Sequence, residues 1–281
     1  VGAIFDSEMR VIHTIAKNLK EAEGFRGSKY IQSDMRGIYK KVSDILNRGE
    51  KVLFSGTPCQ VAAIQNYMRI HRVRTEQLLC VDLVCHGAPS PQVWKDYLSE
   101  VENKYHSKVK NYTFRDKVAG WRGYHVRVGL EDGRSIPQND LTQSFAVIFG
   151  KEVMVRPSCF YCPYASMKRC GDITIGDFWG IEKVDKDFSD NKGISMVLVN
   201  TPKGQKIFSE IKGNLTVRRY ESGVLSQPNL RKPTDFGIDY DRFWEDYHTK
   251  GYLYVAKKYG GYGILRKVRY YKNAIKRKLM K

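Results

Sequence analysis

The stretch Lys51-Val-Leu-Phe-Ser-Gly-Thr-Pro-Cys-Gln60 decides the fold class. Val52, Leu53 and Phe54 form an unbroken apolar run, as in a buried strand, and Gly56-Thr-Pro58 ends it with a turn. From about Gln60 to Arg69 the apolar residues recur at helical spacing, so the unit reads strand, turn, helix. The next unit repeats this order. Leu78-Leu-Cys-Val-Asp-Leu-Val84 is strand-like, His86-Gly-Ala-Pro89 is a turn, and Ser90-Pro91 supplies an N-cap and a first-turn proline for a helix to about Glu102. Two consecutive units of this kind predict a parallel α/β sheet, where ligands gather beyond the carboxyl ends of the strands. Cys59 and Cys85 both fall at that edge.

Working outward, the texture changes at Val109. Val109-Lys-Asn-Tyr-Thr-Phe-Arg115 and Tyr124-His-Val-Arg-Val-Gly-Leu130 alternate in polarity, and Asp132-Gly133 is a hairpin turn, which predicts an antiparallel insertion. Leu141 to Val153 reads as a helix, Asp172 to Trp179 and Ile194 to Val199 as strands, and Lys203 to Ile211 as a short helix. Val1-Gly-Ala-Ile-Phe5 also opens as a strand. Beyond Asn214 two helix-like stretches, about Asp239 to Tyr259 and Ile264 to Leu279, suggest an appended segment. The expected architecture is α/β: a parallel or mixed sheet with flanking helices, an antiparallel insertion and a helical C-terminal segment. Residues 1–214 are expected to form the main domain, and 215–281 a basic, partly helical extension.

The chain has 281 residues, 42% of them hydrophobic, which is ample for a core and unlike a disordered segment. No run of about 18 apolar residues occurs, which excludes an ordinary membrane-spanning helix. The N-terminal residues lack the basic and apolar zones of a signal peptide, and the first residue is Val1, so sequence is expected to be missing upstream. With 48 Lys and Arg against 30 Asp and Glu the formal charge is +18, which attracts anionic partners without choosing among them. Part of the excess lies in Arg266-Lys-Val-Arg-Tyr-Tyr-Lys272 and Lys276-Arg-Lys278. That tail reads as a solvated basic helix, with a weak contact to an anionic membrane or acidic partner as the functional alternative. No interleaved basic and aromatic reading motif is present, so no nucleic-acid partner is expected.

Six cysteines are too few for a disulfide scaffold, and their placement beside strand ends suits a reducing cytoplasm. Cys59, Cys85 and the pair in Cys159-Phe-Tyr-Cys-Pro163 supply four soft thiolates, a set that suits an iron–sulfur cluster and tetrahedral zinc alike. Cys80 sits mid-strand and reads as core packing. Cys170, in Lys168-Arg-Cys-Gly171, competes for the fourth ligand position. His86 follows a candidate ligand; it either braces the turn or tunes or ligates a metal.

Val52-Leu-Phe-Ser-Gly-Thr-Pro-Cys-Gln60, Asp82-Leu-Val-Cys-His-Gly-Ala-Pro-Ser90 and Asp172-Ile-Thr-Ile-Gly-Asp-Phe-Trp-Gly180 together resemble the coenzyme F420 hydrogenase/dehydrogenase beta-subunit family, in its bacterial branch. Phe25-Arg-Gly-Ser-Lys-Tyr-Ile-Gln-Ser33, Phe114-Arg-Asp-Lys117 and Arg156-Pro-Ser-Cys-Phe-Tyr-Cys162 extend the resemblance over about Val1 to Leu215. It implies an iron–sulfur flavoprotein oxidoreductase: a [4Fe-4S] cluster exchanges electrons with FAD or FMN, and the flavin exchanges hydride with an organic substrate or coenzyme. Carried over residue by residue, it implies Cys59, Cys85, Cys159 and Cys162 as cluster ligands, with Cys170 as the alternate. Arg26, Gly27, Ser28, Lys29 and Tyr30 resemble a cofactor-proximal segment, in which Lys29 would neutralise a phosphate or reduced-flavin anion. Ser55, Gly56 and Thr57 would offer backbone N–H groups and a hydroxyl to the flavin, or simply form a tight turn. Relatives often carry an upstream ferredoxin-like region and a Gly-rich flavin segment, both absent here, which again implies truncation.

The implied partners are a small-molecule substrate and a ferredoxin-like electron donor or upstream ferredoxin domain. No acid or base for the substrate is legible; His86 and Asp177 are candidates by location alone. Two rival readings remain at this point, a zinc-stabilised binding module and an interaction protein that keeps the fold without redox activity.

Overall fold

The computed structural model describes residues 1–118 and 120–262. The expected helix from Ile264 to Leu279, with its basic runs, lies outside the described residues.

In chain order, strands β1 (Gly2–Phe5) and β2 (Val11–Thr14) form an antiparallel pair. Helices α1 (Leu19–Ala22) and α2 (Ile38–Asn47) precede the first strand–turn–helix unit, β3 (Val52–Gly56) and α3 (Pro58–Ile70). The second unit is β4 (Leu78–Leu83) and α4 (Pro91–Tyr105). Strands β5 (Val109–Asp116), β6 (His125–Leu130) and β7 (Ser135–Pro137) then build a three-stranded antiparallel sheet, the expected insertion. After α5 (Ser144–Phe149) come β8 (Ile173–Asp177), α6 (Ile181–Val184), β9 (Ser195–Val199), α7 (Pro202–Ile211) and α8 (Tyr240–Lys258).

The central sheet has the order β3-β4-β8-β9. Strands β3, β4 and β8 are parallel, in registers that include Phe54 opposite Cys80 and Val81 opposite Ile173, and β9 closes the edge antiparallel to β8. The protein is therefore α/β with a mixed sheet, a helix following each of β3 and β4, and a helix near its C-terminal end. Both helices begin as their sequences dictate. Pro58 and Pro91 each occupy a first-turn position whose N–H has no helical acceptor; Gln60 Oε1 accepts from the Thr57 N–H (2.9 Å) and Ser90 Oγ from the Gln92 N–H (3.2 Å).

The helix expected from Leu141 to Val153 is confined to Ser144–Phe149. Asn139 Oδ1 accepts from the N–H groups of both Leu141 and Thr142, holding those residues in a turn, and Glu152 adopts a left-handed φ of 62° just past Gly150.

Three apolar clusters hold the layers. Ile38, Val42, Phe54, Val61, Ile64, Met68 and Leu78 pack α2 and α3 on one face of the sheet, with Cys80 buried among them as expected. The largest cluster joins α4, the antiparallel insertion, α5 and α8: Trp94, Tyr97, Tyr112, Phe145, Phe243, Tyr252 and Val255 are all members. A third, around Phe178, Ile181, Met196 and Leu230, fills the space beside β8 and β9.

Asp246 ties α8 together across its break at Gly251. Its carboxylate accepts from Lys250 Nζ (2.8 Å), Lys258 Nζ (2.5 Å) and Tyr259 OH (2.7 Å), and these hydrogen bonds hold its pKa far below the usual carboxylate range. A depressed folded-state pKa adds stability that is full above the unfolded value of about 4, declines as pH falls below that value, and is gone only below the folded pKa. Urea midpoints of the wild type and Asp246→Asn are therefore expected to differ most near pH 7 and to draw progressively together as pH falls below ~4. A gap that stays constant down to acid pH would show that Asp246 acts through packing alone.

Candidate functional site

The carboxyl ends of β3, β4 and β8 open onto a single cleft of about 1430 Å³. Ser55 and Gly56 end β3, Leu83 leads from β4 through Val84 to Cys85, and Ile175, Gly176 and Asp177 end β8; all line the cleft. The opposite wall comes from the Phe25–Ser33 segment, and Arg115, Tyr124 and Trp179 form a third side. Gln227 and Asn229 reach it from the C-terminal part of the chain, where Gln227 Nε2 donates to the Asp177 carbonyl. The volume exceeds the usual range for drug-sized ligands, about 300–1,000 Å³, and leaves room for a long cofactor together with a substrate.

All seven residues expected near a flavin line this one cleft: Arg26, Ser28, Lys29, Tyr30, Ser55, Gly56 and Thr57. Lys29 is half-buried, and its ammonium donates to the carbonyl oxygens of Arg26 (3.1 Å) and Gly27 (3.2 Å). Burial lowers its pKa to about 8, so an anion bound at the site would stabilise the charged form against that burial. Tyr30 packs between Phe114 and Phe149, each with ring centroids 5.2 Å away. The hydroxyl of Ser55 is engaged with the Val1 carbonyl (3.2 Å), and that of Thr57 contacts Cys59 Sγ (3.1 Å).

The structure brings Cys59, Cys85, Cys159 and Cys162 into mutual electrostatic contact. Burial pushes the Cys85 thiol up to about 12; the Gly87 N–H at 3.5 Å opposes it, and Cys59, Cys159 and Cys162 add smaller effects in the upward direction. Cys162 is raised by burial and also feels Cys59 and Cys159. Arg156 completes the group: burial opposes its charge, yet Cys159 and Cys59 hold its pKa above the ordinary value. Among the described residues, however, no three or more His, Cys, Asp or Glu side chains are arranged as a metal site. The fit to a cluster is thus one of donor chemistry. Four soft thiols share one region beside a guanidinium, and a Cys85 thiol raised this far becomes a thiolate only when a positive centre lies beside it.

Cys170 faces elsewhere. Its thiol donates to the Pro58 carbonyl (3.1 Å) and lies 3.5 Å from Asp82 Oδ2, packed against the core beneath α3. His86 stacks on Phe149 at 4.8 Å, and its carbonyl accepts from Thr234 Oγ1 (2.5 Å), which are bracing contacts. Asp177 is partly exposed and lies 3.9 Å from Arg115.

Several cleft residues lie in or near motifs read from the sequence but receive no site role there. Arg115 sits over the rings of Tyr124 (4.7 Å) and Trp179 (5.2 Å), and Trp179 in turn stacks on Trp121 at 4.5 Å. Arg115, Trp121 and Tyr124 belong to the insertion, and Trp179, more than fifty positions later, meets them just past the end of β8. Arg156 stands three residues before Cys159, a position from which its place beside two thiols could have been suspected.

Fold and site together describe an α/β protein whose sulfur-rich strand ends face a large cofactor-sized cleft. The family defined by the C-terminal part of the coenzyme F420 hydrogenase/dehydrogenase beta subunit matches residues 49–222, more than half of the chain, and the chain belongs to that family. The family takes its name from coenzyme F420 hydrogenases and dehydrogenases, which are redox proteins. Among solved structures, the chain is similar to one in "Xenon derivatization of the F420-reducing [NiFe] hydrogenase complex from Methanosarcina barkeri", at 17% identity and a TM-score of 0.48. That match covers 76% of this chain and 66% of the other, so this chain spans just under two thirds of its length. The search of curated proteins returns no match. Among the described residues no helix is long and apolar enough to cross a membrane.

Proposed function

We propose that this chain is an iron–sulfur flavoprotein in which Cys59, Cys85, Cys159 and Cys162 hold a [4Fe-4S] cluster and the adjoining cleft holds FAD or FMN. The observation that carries this reading is the convergence of Arg26, Ser28, Lys29, Tyr30, Ser55, Gly56 and Thr57 on one cleft whose lining also includes Cys59 and Cys85. Cys170 is set aside because its thiol is already engaged with Pro58 and Asp82. Bound together, the two groups would supply one-electron exchange on one side and hydride exchange with an organic substrate on the other.

The chain's own residues have distinct tasks in this reading. Lys29 supplies positive charge to a phosphate, and the Ser55-Gly56-Thr57 turn allows close backbone approach. Tyr30, held edge-on to Phe114 and tilted against Phe149, gives the cleft an apolar wall. Arg156 stabilises negative charge on the thiolates it adjoins. Residues 1–214 would form the redox unit, with 215–281 as a basic extension whose first part supplies Gln227 and Asn229 to the rim. The excess positive charge suits docking of an acidic, ferredoxin-like donor.

The test is purification without oxygen, followed by iron, sulfide, zinc and flavin analysis and a visible spectrum, for the wild type and Cys59→Ala. About four irons and four sulfides per chain with bound flavin, the iron being lost in the variant, is the expected result. One zinc and no iron would replace this reading with a zinc-stabilised module. A protein free of metal and flavin would favour a scaffold that has kept the fold alone.

A further inference from the structure

His13 lies on β2, in the small antiparallel pair to which the sequence assigns no role. Its ring is 8% exposed, stacks on Phe54 at 5.6 Å with an interplanar angle of 21°, and lines the same cleft as Lys29 and Ser55. Nε2 lies 3.1 Å from the Ser55 carbonyl oxygen. A carbonyl can only accept, so Nε2 carries the proton of that hydrogen bond. Burial lowers the pKa of the ring to about 4, so near neutral pH this is its single proton, and Nδ1 is left as a bare acceptor. That Nδ1 is buried and, among the described residues, has no hydrogen-bond partner.

Buried polar atoms are nearly always paired, and an unpaired one is costly. His13 is held rigidly, by the stack on Phe54 and by the bond to Ser55, and does not turn toward another protein group. We infer that His13 is a ligand-binding residue of the cleft, its Nδ1 accepting a hydrogen bond from an O–H or N–H donor of the bound flavin. This rests on the flavin reading above and adds a chemical constraint to it. A flavin offers such donors in its ring N3–H and its ribityl hydroxyls, whereas its phosphate oxygens are acceptors. Lys29 and His13 therefore sort the ligand by chemistry: the ammonium takes the anionic end, and the neutral imidazole takes a donor-bearing part. A molecule presenting only acceptors at His13 would leave two lone pairs facing each other in a buried place, and the site rejects it.

Two substitutions separate the nitrogens. In His13→Gln the side-chain amide reaches the position of Nε2 and keeps a donor for Ser55, but nothing remains at Nδ1. In His13→Asn the side-chain oxygen falls near Nδ1 and keeps the acceptor. Binding of FAD and FMN is measured by quenching of flavin fluorescence, and each variant's melting temperature without flavin is recorded alongside. The expected result is affinity weakened by about tenfold or more in His13→Gln and by far less in His13→Asn. Equal affinity in all three proteins, or equal loss in both variants, overturns the inference and leaves the flavin reading standing. A wild type that binds neither FAD nor FMN overturns both.

Should a variant fail to fold, the wild type still decides the matter. In 15N-labelled protein, addition of FAD is expected to move the Nδ1 resonance of His13 upfield, as for an acceptor gaining a hydrogen bond, while Nε2 stays protonated. An unchanged Nδ1 resonance with FAD bound overturns the inference. If the effect is present, riboflavin and N3-methylriboflavin identify the donor: a response to both assigns a ribityl hydroxyl, and a response to riboflavin alone assigns N3–H.

Discussion

Replacing Arg169 with methionine is expected to cost about 3–5 kcal/mol of folding stability, read from urea midpoints, because it leaves a carboxylate buried without its partner. Arg169 and Asp82 are 1% and 0% exposed and meet at 2.9 Å. The guanidinium also donates to the carbonyl oxygens of Tyr164 (3.0 Å), Ser166 (3.1 Å) and Leu83 (3.2 Å), so one side chain fastens the Cys162–Cys170 loop to the end of β4. Asp82 completes the latch by accepting from the Gly171 N–H at 2.9 Å. Domains of this size are stable by only about 5–15 kcal/mol, so the loss would consume a large part of the total. Arg169→Lys is expected to rescue little, since an ammonium cannot reproduce the planar fork that reaches four acceptors. Arg218→Met, which breaks the exposed pair with Asp185, should by contrast leave the midpoint almost unchanged. If Arg169→Met and Arg218→Met proved equally mild, the latch would be ornamental and the loop would be held by its apolar contacts.

Gly87→Ala is the second substitution with a large expected effect, and it acts at a cysteine. Gly87 has a φ of +134°, a region L side chains rarely adopt, and an added Cβ would stand 2.8 Å from Val155 Cγ1. Strain and overpacking each cost about 1–3 kcal/mol, so the melting temperature should fall by many degrees. The same turn directs the Gly87 N–H to Cys85 Sγ at 3.5 Å, and its carbonyl oxygen lies 3.8 Å from that sulfur. Iron content after anaerobic purification should therefore drop together with stability. Retention of full iron by a destabilised Gly87→Ala would show that the turn serves the fold and that Cys85 finds its position by other means.

The two strand–turn–helix units were legible because each has an unbroken apolar run, a turn with proline, and an apolar-periodic helix, three signals that agree. The hairpin at Asp132-Gly133 was legible for a similar reason. What periodicity does not encode is which strand lies beside which. That β8 inserts next to β4 follows from packing between segments some ninety positions apart, and β9 then closes the edge antiparallel to β8. The helix from Leu141 was overextended because an apolar pattern continues where Asn139, a polar side chain outside the pattern, captures the backbone. The seven residues placed near a flavin could be named because contiguous motifs contain them. His13 could not: its strand alternates like any other, and its unpaired nitrogen exists only once Ser55 and Phe54 have closed around it.

The order in which the chain is made has a consequence for the parallel strands. Strand β4 must wait for β8, and the rim of the cleft waits longer still, for Gln227 and Asn229. A nascent chain interrupted after α4 leaves β4, which leads to Cys85, as an unpaired sheet edge, without Cys159 and Cys162 and without the arginine that latches their loop. Such an edge is open to pairing with a neighbouring chain. On the proposed reading, metal and flavin would be loaded productively only after translation has passed the last of these segments, and until then the half-built sheet is an open edge, not yet a site.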